Sequence, residues 1–261
     1  MAAYALWVRD FIQAAVILVP GVVRLGPLRL PVYGLFAAVG LIAALWLSLK
    51  TARVVGLASE SVWDAGLFAV VAAFVVSRLL LIAGDFRGFL RVPLAMLALP
   101  SFTYVGMVLT GMVVVGYLRW KRLPLLRVLD AWAPCAAALA AMLGVGRYFE
   151  GTDLGMPTML PWGTVVRGSA GMMHLQPVAI YAAVASGVLL VVLVKLLERR
   201  LRAGRVAAVG LLAGGAVGFL IEMVTQPVEM RVGAWLEPAQ WLAVGAMLVG
   251  GLMLTFTKEI A

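Results

Sequence analysis

A few polar side chains interrupt otherwise apolar stretches of this chain: Tyr33, Arg78, Tyr104, Arg147, Glu150, Tyr181, Glu222 and Gln240. Arg78 is the hardest to explain as a boundary residue, because Leu79-Leu80-Leu81-Ile82-Ala83 still separates it from Gly84 and Asp85. A guanidinium in apolar surroundings requires an anion, either a carboxylate such as Glu222 or Glu150 or a phosphate. The first partner would make a structural tie between two helices, and the second would make a binding site. His174 is the one histidine, and such lone histidines are more often structural or exposed than catalytic. No metal-ligand set, phosphate loop or Ser-His-Asp order accompanies it, so neither a metal nor a cofactor is expected. Cys135, the one cysteine, lies in AWAPCAAALAA and reads as a small buried hydrophobe with no disulfide partner.

The elements that must position these groups follow from composition. Of 261 residues, 64% are hydrophobic and 13% charged, and the mean hydropathy is +1.06. Soluble domains sit nearer half apolar and a quarter charged. The composition predicts an all-α, polytopic transmembrane bundle, a single integral membrane domain over 1–261. A spanning helix needs about 20 mostly apolar residues. That length selects about seven spans, near 32–49, 62–83, 99–118, 128–147, 175–195, 205–225 and 238–257. Residues 1–31 are apolar but broken by Arg9, Asp10, Pro20 and Arg24. They read as an interfacial arm, or alternatively as an eighth span. The compact charged-apolar-small pattern of a cleaved signal is not expected there.

Charge placement orders the spans. Basic residues follow alternate ones: Lys50 and Arg53; Arg119, Lys121, Arg122 and Arg127; Lys195, Arg199, Arg200, Arg202 and Arg205; and Lys258. The intervening loops mix signs, with Asp85, Arg87 and Arg91, then Glu150, Asp153 and Arg167, then Glu229, Arg231 and Glu237. This positive-inside alternation predicts an outside N-terminus and a cytoplasmic C-terminus. It also explains the net charge of +9 without nucleic acid, since the basic residues are topological flanks and not one patch.

With that topology the polar side chains share one depth, near the outer face. The expectation is an outward-facing cavity lined by Tyr33, Arg78, Tyr104, Arg147 and Glu222. Asp64 and Asp130 fall on the cytoplasmic side, where they cap helices or pair with Arg53 or Arg127. The segment 148–173 (YFEGTDLGMPTMLPWGTVVRGSAGMM) is the longest loop and lacks a helical period. It is predicted to lie across the outer mouth of the bundle, with Trp162 anchored at headgroup level.

Nearly the whole chain resembles one family. LGPLRLPVYGL (25–35), Ser77-Arg78-Leu79, SFTYVG (101–106), LPLLRVLDAWAP (123–134) and above all LGVGRYFEGTDLGMPTMLPWG (143–163) occur in order, followed by LQPVAIYAA, GFLIE (218–222) and Ala239-Gln240-Trp241. These pieces are similar to the prolipoprotein diacylglyceryl transferases of bacteria. Their signature runs from G-R-x-G-N/C-F to P-T-x-L-P-W-G. Further pieces of the family are H-P-x-Q-L-Y-E-A, R-F-x-x-E and a Gly-Gln entry to the last span. The resemblance implies an inner-membrane enzyme whose partners are phosphatidylglycerol or a related phospholipid and a prolipoprotein. It would move diacylglyceryl onto a lipobox cysteine thiol, with a thioether formed and glycerol phosphate released. It implies arginines for the phosphate and a base for the thiol. Tyr104, Glu150 and Glu222 are the candidates for catalysis. Tyr33, Arg78, Arg147, Gly155, Tyr181 and Gln240 are the candidates for substrate binding.

Several positions depart from the family pattern. In an ungapped match the signature arginine falls on Gly144, and the adjacent Asn/Cys position holds Arg147. Thr103 or Tyr104 stands for a histidine, Gly218 for the arginine of R-F-x-x-E, and Gln176 for the histidine of His-Pro. Two readings stay open. Arg147, one turn beyond Gly144, replaces the lost guanidinium; or the chain keeps the fold and binds phospholipid or lipoprotein without transfer.

Overall fold

The computed structural model describes residues 22–25, 28–91, 103–151, 153–168, 171–226 and 236–259. Two short strands, β1 (Val22–Leu25) and β2 (Leu28–Pro31), precede helix α1 (Val32–Val54). Then come α2 (Ser59–Gly84), the short α3 (Phe86–Arg91), α4 (Tyr104–Trp120) and α5 (Leu125–Glu150). Strands β3 (Thr164–Gly168) and β4 (Gly171–Leu175) lead into α6 (Val178–Glu198), α7 (Arg205–Val224) and α8 (Pro238–Glu259).

Among the described residues, six helices (α1, α2, α5, α6, α7 and α8) are long and apolar enough to cross a bilayer. The third expected span appears as the shorter α4, whose 17 residues reach about 26 Å at 1.5 Å each. The start of that span at 99 and most of the expected interfacial arm, 1–21, lie outside the described residues. Where the arm is described it is not helical: Val22 pairs with Pro31 and Leu25 with Leu28 in an antiparallel hairpin. The physical reason is local. Val22 and Val23 are β-branched, and Pro27 and Pro31 deprive any helix there of backbone donors. The fifth span also begins later than the apolar run, because Leu175 belongs to β4 and Pro177 is the N-cap of α6.

Helix α5 is the hub. It packs along α1 and α6, meets α7, and touches α4 near its start. It is the least hydropathic of the six spans except α8, and the most buried. That combination is expected of a helix that faces protein more than lipid. Large apolar side chains on the other helices, such as Trp46, Phe74, Val105, Val188, Leu220 and Phe256, are exposed on the outside of the bundle. Close backbone approach replaces the hydrophobic effect as the packing force inside lipid. Between α7 and α8 the approach is reciprocal. A side chain at Gly215 would meet Ala243 O at 2.7 Å, and one at Gly250 would meet Ala208 O at 2.6 Å.

Successive long helices run in opposite directions, which gives the bundle two unlike ends. One end collects Lys50, Arg53, Arg119, Lys121, Arg122, Arg127, Lys195, Arg199, Arg200, Arg202 and Arg205. This basic end is the tightly packed one: Ala65, Leu118 and Val128 form one core cluster, Ala52, Val62 and Ala131 a second, and Ala137, Leu193 and Val206 a third. The other end carries both hairpins and the segment 148–173. The segment is therefore not the plain loop expected, because 164–168 and 171–175 pair with Val165 opposite His174.

Asp130 explains how the basic end holds together. Its carboxylate is buried, and its two oxygens accept hydrogen bonds from the Gly204 N–H at 2.6 Å and the Ala207 N–H at 2.8 Å. Gly204 is the N-cap of α7, sits at φ +90, and brings no side chain to the job. Asp130, on α5, thus caps α7 from a neighbouring helix and ties the two together. Of the expected alternatives for this residue, capping is the one realised. Arg53 donates to Ser59 Oγ at 3.2 Å. Cys135 is buried as expected, with its thiol 3.8 Å from Thr51 Oγ1.

Candidate functional site

At the opposite end, the last turn of α5 presents Arg147 and Glu150. Gly151, in the left-handed region at φ +69, stops the helix and donates its N–H to Arg147 O. The reversal carries Asp153 back over that turn, where its Oδ2 lies 3.3 Å from Arg147 Nη1. The contact is electrostatic and poorly aligned: neither Arg147 Nε nor Asp153 Oδ2 has a hydrogen-bond partner among the described residues, though both atoms are buried. The guanidinium keeps unused donors. A part-exposed pair of this kind is worth no more than about 1 kcal/mol, so its importance lies in position.

Residues 154–158 then pass between two partners, making isolated bridges at Gly155 with Thr225 and at Pro157 with Leu175. Met156 N–H donates to Val224 O at 2.8 Å and Gln226 N–H to Leu154 O at 2.9 Å. On the other side, Gln176 N–H donates to Met156 O at 3.0 Å and Thr158 N–H to His174 O at 2.9 Å. The signature segment is thereby stitched to the end of α7 and to β4. Gly155 makes this possible: a Cβ there would collide with the Gln176 carbonyl, and Gln226 Nε2 donates to Gly155 O at 3.0 Å. Gly155 acts through its backbone, as a close-approach residue.

Glu222, in the last turn of α7, sits half-buried within electrostatic reach of Glu237, Arg147 and Asp153. One guanidinium therefore faces three carboxylates. No ion pair joins Arg78 to Glu222 among the described residues, so the expected structural tie between them is not formed. Tyr33 belongs to the same end of the bundle. Gly146 admits the first turn of α1, with Tyr33 Cδ2 3.3 Å from where its side chain would begin, and Phe36 stacks on Phe149 at 5.3 Å.

Tyr181 accepts a hydrogen bond from Trp162 Nε1 at 2.8 Å, which pins the LPWG turn to the first turn of α6. Removing the acceptor in Tyr181→Phe should cost about 1 kcal/mol locally. Deuterium exchange across 158–163 should rise as a result; unchanged exchange would show that this bond does not hold the turn. Gln240 is likewise engaged, its Oε1 accepting from Glu237 N–H at 3.0 Å at the start of α8. A cavity of about 620 Å³ lies beside the turn, lined by Pro157, Thr158, Met159, Leu160, Pro161, Met173 and His174. It is lined by the loop and the hairpin, and none of the five residues expected to line a cavity contributes to it.

Arg78 stands apart. Helix α2 packs mainly on α1 and α4, and the Arg78 guanidinium carbon lies 5.1 Å from the Phe74 ring centroid. Leu80 abuts Gly106 in the first turn of α4, so the C-terminal half of α2 accompanies α4 and not α5 or α7. Tyr104 begins α4; its side chain lies outside the described residues, as do Glu229 and Arg231. Thr103 is the N-cap of α4, its hydroxyl accepting from Gly106 N–H at 3.2 Å.

The structure thus gathers Tyr33, Arg147, Glu150, Gly155, Tyr181, Glu222 and Gln240 at neighbouring helix ends, and leaves Arg78 and Tyr104 on the α2–α4 pair. Sequence reasoning missed Asp153, Glu237 and Gln226 as members of the cluster. Asp153 carried a signal: it lies six residues after Arg147, across a glycine, where a left-handed cap folds the chain back. Gly144 has a different environment from Arg147. A Cβ on it would sit 2.8 Å from Ala183 N, so position 144 faces the α6 backbone.

These features define a multi-pass helical membrane protein with a glycine-proline loop sewn over a cluster of one arginine and several carboxylates. A sequence model of the family described as prolipoprotein diacylglyceryl transferase matches residues 20–256, and the chain belongs to that family. The phosphatidylglycerol–prolipoprotein diacylglyceryl transferase of Polaromonas sp. strain JS666 is 33% identical over 140 residues, 52% of this chain and 50% of that protein. That of Cupriavidus metallidurans is 26% identical over 250 residues, 91% and 92% of the two chains, and that of Clostridium tetani 23% over 236, 88% and 94%. The chain spans about half the length of the first relatives it matches, the Polaromonas protein among them.

Proposed function

We propose that this protein transfers diacylglyceryl from phosphatidylglycerol to the lipobox cysteine thiol of a prolipoprotein, in a bacterial inner membrane. The observation that carries the reading is the under-used guanidinium of Arg147, placed beneath the signature segment in a chain of this family. In this reading the lipid phosphate displaces Asp153 from the Arg147 fork, because a bidentate phosphate contact is stronger than the single poorly aligned one it replaces. Asp153 and Glu222 then remain as carboxylates beside the reacting centre. The thiol sulfur attacks the glycerol carbon that bears the phosphate ester, that C–O bond breaks, and glycerol phosphate leaves with the oxygen. A carboxylate, Glu222 first, takes the thiol proton. Tyr33, Gly155, Tyr181 and Gln240 shape the site and Glu150 shares the last turn of α5 with Arg147, whereas Arg78 and Tyr104 act in it only when the α2–α4 pair approaches the lipid.

Arg147→Lys and Arg147→Ala test this directly. Lysine keeps the charge and loses the planar fork. Both variants should lose at least tenfold in complementation of a strain depleted of its own transferase, while they still insert and fold. Wild-type growth with both would remove Arg147 from the reaction. A second reading, lipid or lipoprotein binding without transfer, is favoured by the packed surroundings of Gly144. It predicts that the unaltered chain binds phosphatidylglycerol and yet fails to complement.

We further infer that the signature end faces outward and the basic end the cytoplasm, as the positive-inside rule requires. In a Cys135→Ala background, Thr158→Cys should react with an impermeant thiol reagent in intact cells and Arg202→Cys should not. The reverse pattern would invert the topology.

A further inference from the structure

The basic end contains a cavity of about 410 Å³ between the ends of α1, α5, α6 and α7. Arg127, Arg200 and Arg202 line it, together with apolar wall residues that include Val55, Leu197 and Val206. Among the described residues none of the three arginines has an ion-pair partner within 4.0 Å. The single carboxylate in the wall, Asp130, accepts from the Gly204 and Ala207 N–H groups and makes no ion pair within 4.0 Å with the three arginines. Three solvent-exposed arginines therefore border one concave space that holds a single carboxylate, while apolar residues supply much of the remaining wall. Like charges gathered in this way repel one another weakly across water, and an anion bound among them relieves that repulsion. Basic pockets between membrane helices suit anionic headgroups, whose phosphate meets the arginines while the chains leave along the apolar wall.

The geometry points to a second anion site in this cavity, distinct from the Arg147 cluster at the other end, that takes a phosphate group carried either by an anionic phospholipid or by free phosphate. The lipid arm fits the apolar wall, and the free-phosphate arm fits the arginines alone. A site here would fasten the ends of four helices and stabilise the bundle from the side opposite the signature segment.

The test uses the full chain in detergent, carrying Arg147→Ala so that binding at the other end does not register. It is titrated with short-chain phosphatidylglycerol, with the matching phosphatidylcholine, and with inorganic phosphate. Saturable binding of phosphatidylglycerol over phosphatidylcholine is expected. It should weaken at least tenfold in the triple variant Arg127→Gln/Arg200→Gln/Arg202→Gln, and stay within twofold in Lys50→Gln/Lys121→Gln, which removes two charges at the same end but outside the cavity. Competition by inorganic phosphate assigns the site to phosphate as such; no competition assigns it to the lipid. Equal binding by the triple variant, equal loss in the lysine variant, or no binding of either probe overturns the proposal. Arg200→Gly guards against a triple variant that fails to fold. Arg200 is in the left-handed region at φ 49 after the end of α6, where glycine is the favoured residue. Arg200→Gly should be at least as stable as the starting protein and bind about threefold more weakly. Unchanged affinity in that variant also overturns the proposal.

Discussion

Asp130→Ala is expected to cost about 3 kcal/mol of stability, because it leaves two backbone N–H groups at the start of α7 buried without acceptors. The cost exceeds that of an ordinary N-cap deletion, about 1 kcal/mol, since both oxygens are used and water does not readily replace them there. The consequence reaches across the bundle. Helix α7 carries Glu222 at its far end and packs along α8, so a frayed start loosens the elements that position the carboxylate cluster. The variant should lose its monodisperse peak on size exclusion in mild detergent after moderate heating. Asp130→Asn, which keeps one acceptor, should fall between. A melting curve for Asp130→Ala that overlays the original would show that the two hydrogen bonds contribute nothing net.

Gly144→Arg is the second substitution with a large expected effect, and it runs against what the family pattern alone suggests. Restoring the signature arginine at the aligned position should not restore a site. A Cβ at 144 already falls 2.8 Å from Ala183 N and 2.9 Å from its Cα, and both are backbone atoms of α6. Backbone of a packed helix does not yield by tenths of an ångström without moving the helix, so even Gly144→Ala should cost about 1–3 kcal/mol. The arginine adds a charge that must be buried in a helix–helix contact or drive the helices apart. Protein yield in the membrane fraction should fall several-fold, with no gain in complementation. Normal yield together with improved complementation would show that α6 moves aside, and that Gly144 lines the site after all.

Much of the architecture was legible in the chain alone. Runs of about 20 apolar residues and the alternation of basic and mixed loops define the spans and their relative directions, because a bilayer demands internally hydrogen-bonded segments of fixed length. The family was legible too, through GMPTMLPWG and its neighbours, since a close-approach glycine and a rigid turn leave few residue types that fit. Two hairpins escaped notice. Each is a short pairing whose strands, such as Val22–Leu25, are too brief for a clear period-two signal to stand out against apolar background.

Tertiary structure alone decided the partners. Asp130 could equally have met Arg53 or Arg127 by sequence, yet α7 brought it two unsatisfied N–H groups, and buried donors are costly enough to settle the matter. Arg78 and Glu222 both lie toward the C-terminal ends of their helices, but position along a helix says nothing about which helices are neighbours, and α2 chose α1 and α4. Arg147 and Asp153 met because a left-handed Gly151 folds the chain back on the helix it ends. Hydrophobicity and charge fix how far each residue lies along the bundle. Which residues face each other around it depends on close packing of small side chains, and that is a property of helix pairs and not of any one segment.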